Sequence, residues 1–234
     1  MSRSFSERLA DGEQLVGTVL SLPGAAYAEL VGHAFDFVWI DLEHAALAGS
    51  DVLDAIVGVQ AAGGAAFVRL PRGVSPAPAL DAGADGVVVP RVETAEEAQA
   101  AAGALRHPPT GTRGFGPRRL ALRRNAVAPL CWVQIESAAA VRAAADIASV
   151  PGVDAVVVGA ADLSYDLGKE GDVGADEVRR AIEQVREATL GAGKVFGAAG
   201  RSGPPLEGAS VSIAGTDVRL IAAALESAAA ETRR

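Results

Sequence analysis

Short apolar runs recur along the chain, separated by stretches in which apolar positions return at helical spacing. The runs are Leu15–Leu22, Phe37–Leu42, Ala66–Leu70, Gly86–Val92, Trp132–Ile135, Ala155–Val158, Val195–Ala198 and Val211–Ala214. They are nearly continuous rather than alternating, which suits strands covered on both faces, as in a parallel sheet. Helical spacing appears near 24–33, 49–62, 75–82, 94–105, 137–149, 174–192 and 217–231, and a short helix is expected between Ser4 and Asp11. Eight such units in 234 residues predict an α/β fold, a (β/α)8 TIM barrel formed as one domain over residues 1–234. An open doubly wound sheet is the alternative, but no glycine-rich dinucleotide fingerprint follows the first strand.

Two connections depart from the pattern. Arg113–Pro129 carries a basic cluster, Arg118, Arg119, Arg123 and Arg124, without amphipathic period; a solvated or subunit-contact segment is the simplest reading. The seventh connection, RSGPPLEGA, is short and proline-rich, so a shortened seventh helix is expected there.

Composition narrows the function classes. Half the residues are apolar, enough for a sizeable core. A formal charge of -8 and a pI near 4.9, with no basic stripe, argue against a nucleic-acid partner. The single cysteine, Cys131, falls in a strand and has no intrachain partner, as in a reducing compartment. The polar opening SRSFSERLADGEQ does not read as a signal peptide, and no apolar run reaches membrane-spanning length. A cytoplasmic protein without a membrane partner is expected.

In a barrel of this kind, chemistry gathers at the carboxyl ends of the strands. There the chain places Asp41, Glu43 and His44 (IDLEHA), Arg69 and Arg72 (VRLPR), Glu136 (VQIES) and Asp162 (GAADLS), with Asp81 just before the fourth strand. Glu136 and Asp162 end neighbouring strands, so their carboxylates should emerge side by side. With no thiolate among them they suit a hard divalent cation such as Mg2+, Mn2+ or Co2+. The plainer reading of each acid is a cap on the following helix. Gln134 shares the direction of Glu136 by strand alternation. Asp41 and Glu43 either orient His44 or the cation's waters, or make structural hydrogen bonds only. Arg113 and Gly114 either meet substrate or fix a turn, and His33 and His107 lie at helix ends.

The stretches IDLEHA, VRLP, LDAGADGVVVPRVETAEEA, HPPTGTRGFGPRR, VQIES and GVDAVVVGAADLS resemble, in order and over nearly the whole chain, the HpcH/HpaI aldolases, which are metal-dependent pyruvate aldolases. The resemblance implies a barrel of the phosphoenolpyruvate/pyruvate superfamily assembled as a trimer or hexamer, with active sites near subunit contacts. It implies that Glu136 and Asp162 bind the metal, that His44 and Asp81 form a base dyad, and that Arg69 faces the substrate's keto oxygen. Gln134, sharing the direction of Glu136, is expected to meet substrate or to support the metal site, and Gly159, Ala160 and Ala161 are expected substrate contacts. Three positions and two connections depart from the family pattern: Ala160 stands where a proline is usual, Val19 where tryptophan is frequent, Ser210 where a larger apolar residue is common, the loop before VQIE is short and the seventh helix is cut down. A pocket opened at Val19 and Ser210 would take an aldehyde bulkier than succinic semialdehyde.

The expected reaction is reversible cleavage of a 4-hydroxy-2-oxo acid to pyruvate and an aldehyde. A cation would act as the sink for the enolate's charge, Arg69 would add a fixed positive charge, and His44 would take the 4-hydroxyl proton. A Schiff base is disfavoured because the two lysines stand badly placed: Lys194 precedes a strand and Lys169 lies in a glycine-flanked loop. The rivals are decarboxylation of oxaloacetate, another enolate condensation, cleavage of a CoA thioester, and a catalytically inactive barrel serving as a binding subunit.

Overall fold

The computed structural model describes residues 3–116, 118–122, 127–199 and 206–233. Eight parallel strands close into a barrel in sequence order: β1 (Leu15–Leu20), β2 (Phe37–Asp41), β3 (Ala65–Arg69), β4 (Gly86–Val89), β5 (Leu130–Ile135), β6 (Ala155–Gly159), β7 (Val195–Ala199) and β8 (Val211–Thr216). The helices are α1 (Phe5–Ala10), α2 (Ala25–Ala34), α3 (Ser50–Ala61), α4 (Ala77–Asp81), α5 (Ala95–Ala104), α6 (Ala138–Arg142), α7 (Ala144–Ala148), α8 (Ala160–Asp166), α9 (Asp176–Gly191) and α10 (Asp217–Thr232). The expected strands are all present, displaced by at most three residues at their ends. The expected helix 137–149 is instead two short helices, α6 and α7, and α8 was not expected. Between β7 and β8 the described residues contain no helix; most of RSGPPLEGA lies outside them, as do Arg123 and Arg124.

Two apolar layers build the core. Residues facing outward from the strands, such as Val38, Ile40, Val68, Val133, Val156 and Val158, pack under the helices. Residues facing inward fill the barrel: Leu15, Phe37, Trp39, Phe67, Val88, Trp132, Val157 and Val211 among them. Near the amino ends of the strands the filling is aromatic. The Phe67 and Trp132 rings stack with centroids 3.9 Å apart, and Phe37 meets Trp132 edge-on at 5.3 Å. Glycines make room for these rings, since a Cβ at Gly17 would lie 2.3 Å from the Phe37 ring and one at Gly86 2.4 Å from that of Phe67. Helix α1 closes this end by placing Phe5 against Phe37 and Phe67 at 5.7 and 5.4 Å. A capping box at Ser4 and Glu7 starts that helix.

The amino ends of the strands are pinned by a repeated device. Asp36, Asp85 and Asp154 each precede a strand, and each accepts the backbone N–H that opens or nearly opens the strand before it: Val16 at 2.9 Å, Ala66 at 2.9 Å and Cys131 at 2.7 Å. These bonds set the register of three of the strand pairs. The other end carries no such apolar plug, and the side chains projecting there are polar.

Helix α10 stands off the barrel. Of its sixteen residues only Asp217 is buried, while Val218, Leu220 and Leu225 are exposed. Asp217 itself accepts from Ser21 N, Ser21 Oγ, Leu22 N and the Tyr27 hydroxyl, tying the loop after β1 to the end of β8. No helix among the described residues is long and apolar enough to cross a membrane.

Candidate active site

Strand alternation explains why charged groups converge at the carboxyl end. Phe37, Trp39 and Asp41 face inward from β2; Ala65, Phe67 and Arg69 do so from β3; Trp132, Gln134 and Glu136 from β5 and its extension. Each strand therefore passes from an apolar floor to a polar mouth within about two side-chain layers.

Asp41 and Arg69 form a buried ion pair. Arg69 Nε donates to Asp41 Oδ1 at 2.9 Å and Nη2 to Oδ2 at 2.7 Å, a bidentate fork. Asp41 Oδ1 also accepts the backbone N–H groups of Glu43 and His44 at 3.0 and 3.3 Å, so it shapes the turn that presents His44. Burial works against ionising Asp41, but Arg69 and these N–H groups outweigh it and hold the carboxyl below its usual range. The Arg69 guanidinium lies over the Trp39 ring, 5.3 Å from its centroid. Its Nη1 has no protein partner among the described residues, and that leaves its two N–H donors for a ligand.

Glu136 is 3 % exposed. Gln134 Nε2 donates to its Oε1 at 2.8 Å, and the backbone N–H of Arg91 donates to its Oε2 at 3.1 Å. Burial, followed by the charges of Asp162 and Glu43, pushes its pKa up to about 7. Gly159 lies beside it on β6, and a Cβ there would come within 2.4 Å of Glu136 Oε1. The space occupied by Glu136 thus exists because residue 159 has no side chain. Asp162 sits in the first turn of α8 and is exposed. Burial also raises the pKa of Glu43, against the pull of Arg69.

His44 stands at the rim with its side chain 62 % exposed, its Nε2 3.6 Å from Glu43 Oε2. Asp81 is elsewhere. It ends α4, at the amino end of the barrel, where it pairs with the buried Arg113, and its neighbour Ala82 accepts from Arg119 through its carbonyl. Within one chain His44 and Asp81 therefore do not meet. Arg113 serves that pair, and its carbonyl lies 3.0 Å from His107 Nδ1. Ser210 is also at the amino end: its carbonyl accepts Leu15 N–H and its N–H donates to Phe196. The expectation that Ser210 opens a substrate pocket is thereby corrected, because it starts a strand whose far end forms the mouth. Val19 does lie towards the mouth, 8 % exposed in the inner layer. Lys194 donates to the Val153 carbonyl at the amino end, and Lys169 pairs with Glu177 at 2.9 Å on the surface.

The donor set fits a hard cation. Glu136 and Asp162 supply carboxylate oxygens, and Gln134 Oε1 is a buried acceptor without a partner among the described residues. Burial, and after it the like charges of Asp162 and Glu43, raise the Glu136 pKa, and a dication held there would favour the ionised carboxylate. No group of three or more His, Cys, Asp or Glu among the described residues could hold a metal by itself, so water or substrate oxygens would complete the shell.

A closed parallel barrel with carboxylates, one arginine and one histidine at its carboxyl mouth is the arrangement of a barrel enzyme. Comparison with known proteins makes the class specific: the chain belongs to the HpcH/HpaI aldolase/citrate lyase family, which matches over residues 20–203. It is 37% identical to a hydroxypyruvate/pyruvate aldolase of Delftia acidovorans, over 82% of this chain and 77% of that one. It is 35% identical to a 2-keto-3-deoxy-L-rhamnonate aldolase of Escherichia coli, over 84% and 79%. The solved structure of a family member from Burkholderia cenocepacia is 32% identical, superposes with a TM-score of 0.91 and covers both chains fully. The protein is an aldolase, a carbon–carbon lyase of the HpcH class, and the family is metal-dependent.

Sequence reasoning missed two participants. The backbone N–H of Arg91 reaches Glu136 only because Arg91 has a left-handed backbone, φ 51°, which a PRV tripeptide does not announce. Trp39, beneath Arg69, is legible only as an apolar strand residue.

Proposed function

We propose that this chain is a divalent-metal-dependent aldolase that reversibly cleaves a 4-hydroxy-2-oxo acid to pyruvate and an aldehyde. The observation that carries this reading is Glu136: a buried carboxylate given its space by Gly159, oriented by two N–H donors, and raised in pKa by burial and then by neighbouring negative charge. The names of the Delftia acidovorans and Escherichia coli relatives support pyruvate and a 2-oxo-3-deoxy acid as the chemical class.

Glu136 and Asp162 would hold the cation, with Gln134 fixing Glu136. The bound cation supplies Lewis acidity towards the carboxylate and keto oxygens of the 2-oxo acid. Arg69 would direct its free Nη1 to the keto oxygen, where negative charge grows as the carbon–carbon bond breaks. The Asp41 fork holds that guanidinium in place, so little reorganisation is needed at the moment of reaction. The first turn of α8, at Ala160 and Ala161 after Gly159, leaves backbone N–H groups without helical partners, available to the substrate carboxylate.

His44 is the base of this reading. It takes the 4-hydroxyl proton, the C3–C4 bond breaks, the aldehyde leaves, and the electron pair stays on C3 until a proton converts the enolate to pyruvate. Glu43 steadies the imidazole within the chain. Since Asp81 lies at the other end of its own barrel, a His44–Asp81 dyad can form only between two copies. The exposed apolar residues of α10 support an oligomer, which the resemblance puts at three or six chains.

The test is metal-dependent exchange of the pyruvate methyl protons in D2O. Exchange requires the enolate but no aldehyde, so it tests the reading before any acceptor is known.

A further inference from the structure

We propose that Trp39 is a positioning residue for Arg69, its indole face holding the guanidinium from the floor of the mouth; this rests on the aldolase reading above. Arg69 Nη1 is thereby kept where the substrate's keto oxygen arrives. Register brings the two side chains together. Across the β2–β3 pair Asp41 stands opposite Arg69 and Trp39 opposite Phe67, so Trp39 is the diagonal neighbour of Arg69 on the inward face. The Arg69 Cζ lies 5.3 Å from the Trp39 ring centroid. The arginine side chain is only 12 % exposed, a setting in which attraction between a cation and a ring face is strong.

Packing alone does not account for an indole at this position. Trp39 is fully buried, yet its Nε1 has no hydrogen-bond partner among the described residues, a cost that leucine or phenylalanine would avoid. Trp132 leaves the same donor unpaired, but its ring stacks on Phe67 and meets Phe5 and Phe37. The ring pairs of the floor involve Phe5, Phe37, Phe67 and Trp132, and among the described residues Trp39 joins none of them. Its ring meets the Arg69 cation instead. Of the aromatic side chains, tryptophan offers a cation the strongest face.

The fork to Asp41 needs that second contact. It fixes Nε and Nη2 against one carboxylate but leaves the guanidinium free to rock about it. Glu43, just beyond the end of β2, draws the guanidinium towards the rim, its Oε2 3.4 Å from Arg69 Nε. Trp39 stands one inward position deeper than Asp41, so its attraction acts from the floor and opposes that pull. Without the ring, Arg69 would tilt towards Glu43, and its Nη1 donors would leave the keto oxygen as negative charge grows there. The loss would fall on kcat, because that charge belongs to the transition state.

The test reads pyruvate methyl exchange in D2O at saturating pyruvate, with the metal-loaded protein as isolated. W39L keeps apolar bulk without the ring and should lose about tenfold or more in kcat, whereas W39F should stay within about threefold of wild type. Metal affinity, read by calorimetry, should hold within about threefold in both, since the contact does not involve Glu136 or Asp162. Wild-type kcat in W39L, a W39F as slow as W39L, or a loss of metal affinity in step with kcat overturns the proposal. Should W39L not fold, fluorinated tryptophans decide it, because they keep the ring's shape while withdrawing negative charge from its face. Exchange should slow with each added fluorine in the wild type but not in W39F, where Trp132 is the remaining tryptophan. A wild-type rate indifferent to fluorine overturns the proposal. Absence of exchange in the unsubstituted wild type overturns the aldolase reading itself, whereas exchange indifferent to residue 39 overturns only the role of Trp39.

Discussion

The two ends of this barrel are built from the same strands and solve opposite problems. At the amino end Phe37, Phe67 and Trp132 interlock beneath Phe5, and glycines at 17 and 86 are shaped to admit the rings. At the carboxyl end Asp41, Arg69, Gln134 and Glu136 occupy the next inward positions, with glycine at 159 admitting a carboxylate instead of a ring. One device, a missing Cβ opposite a large side chain, gives packing at one end and a strained charge at the other. The lesson is that stability and reactivity are separated along each strand by about two residues.

That separation can be broken most forcefully from the floor. Phe67→Ala should lower stability by about 3–5 kcal/mol, read by chemical denaturation, because the cavity opens inside a stacked aromatic cluster. The fraction still folded should retain its pyruvate exchange rate within a few-fold. A comparable loss of exchange in the folded fraction would mean the two ends are not separate.

The mouth should show the reverse pattern through pH. The Glu136 carboxyl is raised from an ordinary 4.5 to about 7. Between those values the unfolded chain ionises the group and the folded chain does not. Stability is therefore lost as pH rises from about 4.5 to 7, by about 3 kcal/mol at most for the metal-free protein, and the loss levels off above that range. Glu136→Gln should remove this slope, seen as thermal midpoints that no longer fall between pH 5 and 7.5. Metal affinity should rise over the same interval, since cation and proton compete for one carboxylate.

Gly159→Ala sharpens the contrast within the mouth. Its Cβ displaces Glu136 by contact at 2.4 Å, so exchange should fall by about a hundredfold, with weaker metal binding by calorimetry. Lys169→Ala is the smallest change expected. It breaks only a surface pair with Glu177, so stability should move by less than about 1 kcal/mol and exchange should be unaffected. A large loss there would revive the Schiff-base route.

The fold was legible in the sequence because strands buried on both faces leave continuous apolar runs, and all eight were read in place. Ends were less so: β4 stops at Val89 rather than Val92, since the turn at Arg91 bends out of the ladder to reach Glu136. Glu136 and Arg69 were legible as charged residues at strand ends, and Gln134 because period-two alternation gives it the direction of Glu136. The Asp36, Asp85 and Asp154 pins went unread, although each sits one residue ahead of a strand. Ser210 was misplaced because a motif gives order along the chain but not which end of the barrel a residue occupies; Asp81 stands just before the fourth strand, as expected, and so lies away from His44 within one chain.

The proposed aldolase depends on Glu136 and Asp162 holding a cation that stabilises a pyruvate enolate. The most direct measurement is proton NMR of the pyruvate methyl signal in D2O with metal-stripped protein, before and after Mg2+, Mn2+ or Co2+ is added. Loss of the signal is expected only when metal is present, slowed about a thousandfold or more in Glu136→Ala that remains folded. A folded wild-type protein that exchanges no methyl protons with any of the three metals, or a Glu136→Ala protein that exchanges them as fast as wild type, would contradict it.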